Sequence, residues 1–178
     1  AAEIYLDLIH EAPYFTDVNQ TMASRVEQAL RSLALVVADE PGVAAACTTA
    51  LLSGDDETVR KVRDRIGAEI HKRIRSAVGP DADPRLLSAL EMTYFGALVN
   101  AGSGAYTYHQ IADRLFCYCA LRRERIASIV PGAAILGIVL RGRKEIWCGT
   151  FSEVLTPGTA FALPRGMPVD VVNIPDDR

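Results

Sequence analysis

Ile129-Val130-Pro131-Gly132-Ala133-Ala134-Ile135-Leu136 is the stretch where the spacing of apolar residues changes, and the fold is decided by what lies on either side of it. Proline followed by glycine breaks any element that reaches it, since one lacks an amide proton and the other has no side-chain restraint. Downstream, 134–140, 145–148, 152–155, 160–163 and 169–174 read as short strands. Arg141-Gly142-Arg143, Pro157-Gly158 and Pro164-Arg165-Gly166 between them are turn formers. Upstream, from Ala1 to about Ile129, apolar residues recur at helical intervals. The expected fold is therefore mainly α, a six-helix bundle over 1–129 followed by a short, strand-rich tail over 130–178.

The helices follow from caps and stripes. Ile4, Tyr5, Leu8 and Ile9 mark the first. Asp17 is the expected cap of the second, whose stripe of Met22, Val26, Ala29, Leu30, Leu33 and Val37 leaves Arg25, Gln28 and Arg31 to water and should end near Glu40. Pro41 opens a small-residue helix through Ala44, Cys47, Ala50 and Leu51, closed by Ser53-Gly54. Asp55, Asp56 and Glu57 suit the positive end of a long helix with Val59, Val62, Ile66, Ile70 and Ile74 inward, running to about Val78. After the breaker Gly79-Pro80-Asp81-Ala82, Asp83 caps and Pro84 begins a helix through Leu87, Leu90, Tyr94 and Leu98, stopped by Gly102-Ser103-Gly104. Thr107 to Gln110 has the spacing of a capping box, and the sixth helix, through Ile111, Leu115 and Cys119, is expected to continue to Ile129.

Composition bounds the function. With 178 residues, 49% hydrophobic, the chain can bury a real core. A net charge of −3 offers no footprint for a phosphate backbone, so DNA would be read by another segment. No run of 18 apolar residues exists, and Ala1 to His10 lacks the layout of a secretory signal. No membrane partner is expected. Cys47, Cys117, Cys119 and Cys148 fall at no framework spacing, which fits a reducing cytoplasm.

The helical part resembles the C-terminal domain of the TetR family of transcription regulators. The likeness is carried by Pro41-Gly42-Val43-Ala44, Leu51-Leu52-Ser53-Gly54-Asp55, the charged helix ending in Gly79-Pro80-Asp81-Ala82-Asp83-Pro84, Leu90 to Gly104, and Tyr108-His109-Gln110-Ile111-Ala112-Asp113-Arg114-Leu115. It implies a ligand pocket inside the bundle, a homodimer through the last two long helices, and DNA-binding helices expected to precede Ala1. The tail is similar to the start of the cupin-like sensor domain of AraC-type regulators, through Arg141-Gly142-Arg143-Lys144, Pro157-Gly158, Leu163-Pro164 and Asp170-Val171-Val172-Asn173. It also follows a cupin motif at Gly158, Pro164, Gly166 and Asn173, with Val169 where a metal-binding histidine would stand. A full barrel needs more strands than this, so the tail is expected to dock, swap or stay poorly ordered.

These readings converge on the effector-binding and dimerising part of a repressor without its helix-turn-helix. A pocket for a small, largely apolar effector would be lined from the second helix by Met22, Val26 and Leu33, from the third by Cys47, Thr48 and Leu51, from the fourth by Ile70 and Ile74, and from the fifth by Glu91, Tyr94, Phe95 and Leu98. The plainer reading of this stripe is solid core, which would leave a helical scaffold with no ligand. Glu91 and Tyr94 separate the two, because a buried carboxylate or phenol needs a partner that a ligand could supply. Ser88, Gly96, Ala97, Asn100 and Ala101, with Ile111 and Leu115, would let a partner chain approach closely, or pack internally. Arg60, Lys61, Arg63, Arg65, Lys72, Arg73 and Arg75 read as a solvated face, since Asp64 and Glu69 interleave them. His10 and His71 read as surface imidazoles. Cys117 and Cys119 near His109 make a poor metal site, because residues two apart on a helix diverge. No cofactor is expected. No enzyme is expected either: no histidine follows His109, and Gly102-Ser103-Gly104 follows a helix, not the strand of a nucleophile elbow.

Overall fold

The computed structural model describes residues 2–53, 56–115, 120 and 122–176, with the side chains of residues 2, 51 and 53 outside the description. Its helices are α1 (Ala2–Glu11), α2 (Met22–Leu35), α3 (Pro41–Ser53), α4 (Glu57–Val78), α5 (Pro84–Gly102) and α6 (Tyr108–Arg114). Its strands are β1 (Glu124–Ile129), β2 (Ile135–Ile138), β3 (Arg143–Cys148), β4 (Phe151–Leu155), β5 (Ala160–Leu163) and β6 (Val169–Ile174). Among the described residues, six helices and six antiparallel strands make a mixed α and β fold, which overturns the expectation of a mainly α bundle with a short β tail. Among the described residues, no helix is long and apolar enough to cross a membrane.

The decisive correction is the last helix. It ends at Arg114, and Glu124–Ile129, expected to continue it, is instead a strand paired with β6. Ile126 faces Val171 and Ile129 faces Val169, three residues against two, so a β-bulge inserts one residue between them. Ser128 takes the strained turn with φ 55°, held there as its amide donates to Asp170 Oδ1 (2.7 Å) while Arg125 pairs with Asp170 Oδ2 (3.1 Å). The bulge places both isoleucines on one face at a spacing of three, which imitates a helix in sequence. Cys117 and Cys119, called helical from the same period, lie outside the described residues.

Two compact units divide the chain, Ala1–Ala82 with Leu90–Cys117, and Asp83–Ala89 with Tyr118–Arg178. In the first, α1 packs on α3 and α4, and α2 on α4 and α6. Its core holds Ile9, Val26, Leu33, Ile70, Ile74 and Tyr94, all at or below 1% exposure. Thr21, not Asp17, caps α2, with its oxygen accepting from the Ser24 amide (3.1 Å). Asp17 is engaged by Asn19 in a turn of its own (2.9 and 3.0 Å), and α2 stops at Leu35, short of Glu40. Asp56 caps α4 by accepting from Thr58 and Val59 (2.7 and 3.3 Å), and Thr107 and Gln110 form the reciprocal capping box. Gly54 and Asp55, read as part of the α3 to α4 junction, lie outside the described residues.

In the second unit the strands form a sheet of order β1-β6-β3-β4 and a ribbon β2-β5. Val139, Ile146, Leu155, Leu163, Val169 and Val171 make their common core, with Ile129, Ile135, Cys148 and Phe161 packed against it. Gly137 lies under the Phe161 ring, where a Cβ would come within 2.1 Å of it.

Candidate functional site

The groups that stand out in the helical unit are buried hydroxyls and a thiol, brought together from four helices. Tyr5 of α1 is 2% exposed, Cys47 and Thr48 of α3 are 6% and 8%, Tyr94 of α5 is 0%, and Tyr108 of α6 is 9%. Each reaches the centre for a local reason. Tyr5 sits on the apolar stripe of α1, and the capping box at Thr107 fixes Tyr108 as the first residue of α6. Thr48 is pressed by α5, where a Cβ on Gly102 would lie 2.4 Å from its Cγ2.

Hydrogen bonds account for most of these groups. Tyr94 donates to the Leu33 carbonyl (2.9 Å), and its oxygen lies 3.4 Å from the Tyr5 oxygen. Thr48 donates to the Ala44 carbonyl (3.0 Å). Among the described residues, the buried Tyr108 hydroxyl has no hydrogen-bond partner. Thr48 is near enough to favour its ionised form slightly, but no bond of good geometry joins them. Burial pushes the Tyr5 phenol up to about 12 and raises Tyr94, Tyr108 and the Cys47 thiol as well. All four therefore keep their protons near neutral pH, and the centre is polar but uncharged.

Of the residues expected to line a pocket, Cys47, Thr48 and Tyr94 belong to this cluster, and Leu33 supplies its carbonyl. Val26, Ile70, Ile74 and Leu98 are fully packed core, Met22 and Phe95 are half-buried, and the Leu51 side chain is outside the description. Phe95 packs its ring 5.9 Å from that of Tyr94. Glu91 stands apart: its carboxylate, 25% exposed, pairs with His71 Nδ1 of α4 at 2.5 Å. Both polar groups that were to await a ligand thus have partners within the chain. Tyr5 and Tyr108 were missed as site residues. A tyrosine on the buried stripe of α1 was a visible signal, whereas the orphaned hydroxyl of Tyr108 depends on packing that no local pattern encodes.

Two surface grooves open on the helical unit. One, of about 480 Å³, runs along α2 and the end of α1, between Phe15, Leu8, Leu35 and Arg31. The other, of about 450 Å³, is walled by Ala38, Pro41, Ala101, Gly104, Tyr106 and Tyr108. None of the described residues expected to bind an effector lines either groove. Of the residues expected at a dimer interface, Ser88, Gly96 and Asn100 are exposed on α5, Ala97 and Leu115 are half-buried, and Ala101 and Ile111 are buried within the chain. Met92 and Val99 add apolar surface beside the exposed small residues (66% and 40% exposed).

The basic run needs one correction. Arg60, Lys61, Arg65, Lys72 and Arg75 are exposed and Arg63 half-buried, but Arg73 is 2% exposed. It pairs with Glu69 (2.8 Å), reaches the Ala12 carbonyl and the Tyr14 hydroxyl (3.5 Å each), and stacks on the Tyr14 ring (4.7 Å). Its position three residues after Ile70 puts it on the apolar face, where the pairing with Glu69 offsets the cost of burying a guanidinium even though its Nε has no hydrogen-bond partner among the described residues. His10, like His71, has a carboxylate at hand, Glu69 at 3.5 Å. Among the described residues, no group of three or more His, Cys, Asp or Glu is placed to hold a metal.

Comparison with known proteins points to one class, transcription regulators. Over 115 residues the chain is 66% identical to an uncharacterized HTH-type transcriptional regulator of Mycobacterium bovis and, equally, to ones from two strains of Mycobacterium tuberculosis. The match covers 64% of this chain and 54% of each relative, so the chain spans about half the length of the curated relatives it matches. No family model matches it, and no solved structure does.

Proposed function

We propose that the helical unit is the effector-binding and self-associating part of a TetR-like transcriptional repressor, in which DNA is read by helices outside this segment. The observation that carries this reading is the 66% identity over 115 residues to proteins named HTH-type transcriptional regulators. The buried cluster suits it, since a neutral polar centre within apolar walls is what orients a small, mainly apolar ligand. The exposed face of α5, with Ser88, Met92, Gly96, Val99 and Asn100, is the surface on which a second copy would pack. Effector binding would act on DNA only by favouring one of two helix arrangements, and α1 is the element through which it would do so.

A scaffold with no ligand is the second reading, favoured by the packed stripe of Val26, Ile70 and Ile74 and by the partners that Tyr94 and Glu91 already have. Native mass spectrometry of the purified chain, set against its denatured mass, decides. A dimer carrying a non-covalent small molecule is expected. A bare dimer would favour the scaffold, and a ligand-free monomer would overturn both.

A further inference from the structure

The hydroxyl cluster also specifies the chemistry of the molecule it would take, an inference that rests on the effector reading above. Proton by proton, Tyr94 is committed to Leu33 and Thr48 to Ala44, and the Tyr94 oxygen is the acceptor left for Tyr5. Tyr108 keeps a donor that nothing among the described residues receives. Buried donors are nearly always matched, so an orphan in a packed core marks a place where an acceptor from outside gains more than it would elsewhere. The same residue stands at a boundary, because Tyr108 lines the groove of about 450 Å³ while its hydroxyl is buried beside Thr48 and Cys47. That volume is in the ordinary range for small-molecule sites. The cluster's own groups are all neutral, so a charged ligand group brought among them would lack a counterion and lose its hydration.

We propose that Tyr108 is the hydrogen-bond anchor of the effector site, and that the effector is an uncharged, mainly apolar molecule presenting one acceptor, such as a carbonyl oxygen, delivered from the groove beside α6. Thr48, held in place by the close approach of Gly102, donates its own proton to Ala44 and so does not compete for the acceptor.

Three matched probes test this on the full chain by ligand-detected NMR titration at pH 7: acetophenone, ethylbenzene and benzoate. Acetophenone should bind roughly three- to tenfold more tightly than ethylbenzene, the worth of one neutral hydrogen bond, with benzoate the weakest. Tyr108→Phe should erase the preference for the ketone and leave ethylbenzene binding unchanged, while Tyr106→Phe, on the outer wall of the groove, should keep the preference. Equal binding of ketone and hydrocarbon by the unaltered chain, a preference that survives Tyr108→Phe, strongest binding of benzoate, or no binding of acetophenone at millimolar concentration would each overturn it. A native dimer found carrying a charged molecule would overturn this inference alone and leave the effector reading standing.

Discussion

Each unit holds a cluster of polar side chains, and the two clusters are matched in opposite ways. In the β unit, Glu124, Asn173 and Lys144 are cross-strand neighbours on β1, β6 and β3, forming one row on the inner face of the sheet. The row is closed: the Lys144 ammonium donates to Asn173 Oδ1 (2.5 Å), and the Asn173 amide donates to Glu124 Oε2 (3.5 Å). Burial lowers the Lys144 pKa, and the charge of Glu124 opposes that shift. In the helical unit the cluster carries no charge and leaves the Tyr108 hydroxyl unmatched among the described residues. A row in which each polar atom meets another of the same chain contributes to a unique fold, whereas a cluster with one donor left over is built to meet something else. The helical cluster is accordingly the place to look for function, and the β row the place to look for stability.

The largest effect expected from this contrast is in the row. Asn173→Ala removes the acceptor of a half-buried ammonium, and the loss of a buried bond to a charged group should destabilise the β unit by about 3 kcal/mol. Urea unfolding followed by the fluorescence of Trp147, three residues along β3 from Lys144, reads that unit directly. A change below about 1 kcal/mol would show that the row is ornamental.

Alkaline titration probes the other side. Tyr5 stays protonated in the fold up to about 12, against an ordinary value of 10.0, so its stabilising share is whole below pH 10 and is lost as pH rises toward 12. At about 1.4 kcal/mol per pH unit the gap corresponds to about 3 kcal/mol at most. The helical unfolding transition, followed by far-ultraviolet circular dichroism, should fall in that window in the unaltered chain and less in Tyr5→Phe. An equal fall in both would place the alkaline sensitivity elsewhere.

Much of the helical layout was legible because caps are local chemistry. Thr107 with Gln110, Asp83 with Pro84, and Asp56 before the α4 stripe each place a helix start within a few residues. The strand at 124–129 was not legible, since a bulge puts Ile126 and Ile129 on one face at helical spacing. Asp17 and Thr21 are both good caps by composition, and only the turn that Asp17 makes with Asn19 decides between them. The site was half legible. Cys47, Thr48 and Tyr94 lie on the inward faces that periodicity marks, but the partners of Tyr94 and Glu91, and the missing partner of Tyr108, come from helices far away in sequence.

Two conservative substitutions should differ in sign if the cluster is as unequal as its hydrogen bonds indicate. Tyr94→Phe deletes a bond to the buried Leu33 carbonyl and the acceptor of Tyr5, and should destabilise the helical unit by about 1 to 2 kcal/mol. Tyr108→Phe deletes a hydroxyl that has no partner among the described residues, so it removes a desolvation penalty without breaking a bond seen there. In the absence of any added molecule it should leave the unit unchanged or stabilise it by up to about 1 kcal/mol. The two variants need the same measurement, denaturant unfolding monitored at a helical signal, and the difference between them is more secure than either value, since both remove one oxygen from a buried ring. If Tyr108→Phe destabilises the unit as much as Tyr94→Phe does, the phenol is matched within the chain in solution, and the contrast between a closed row and an open cluster fails.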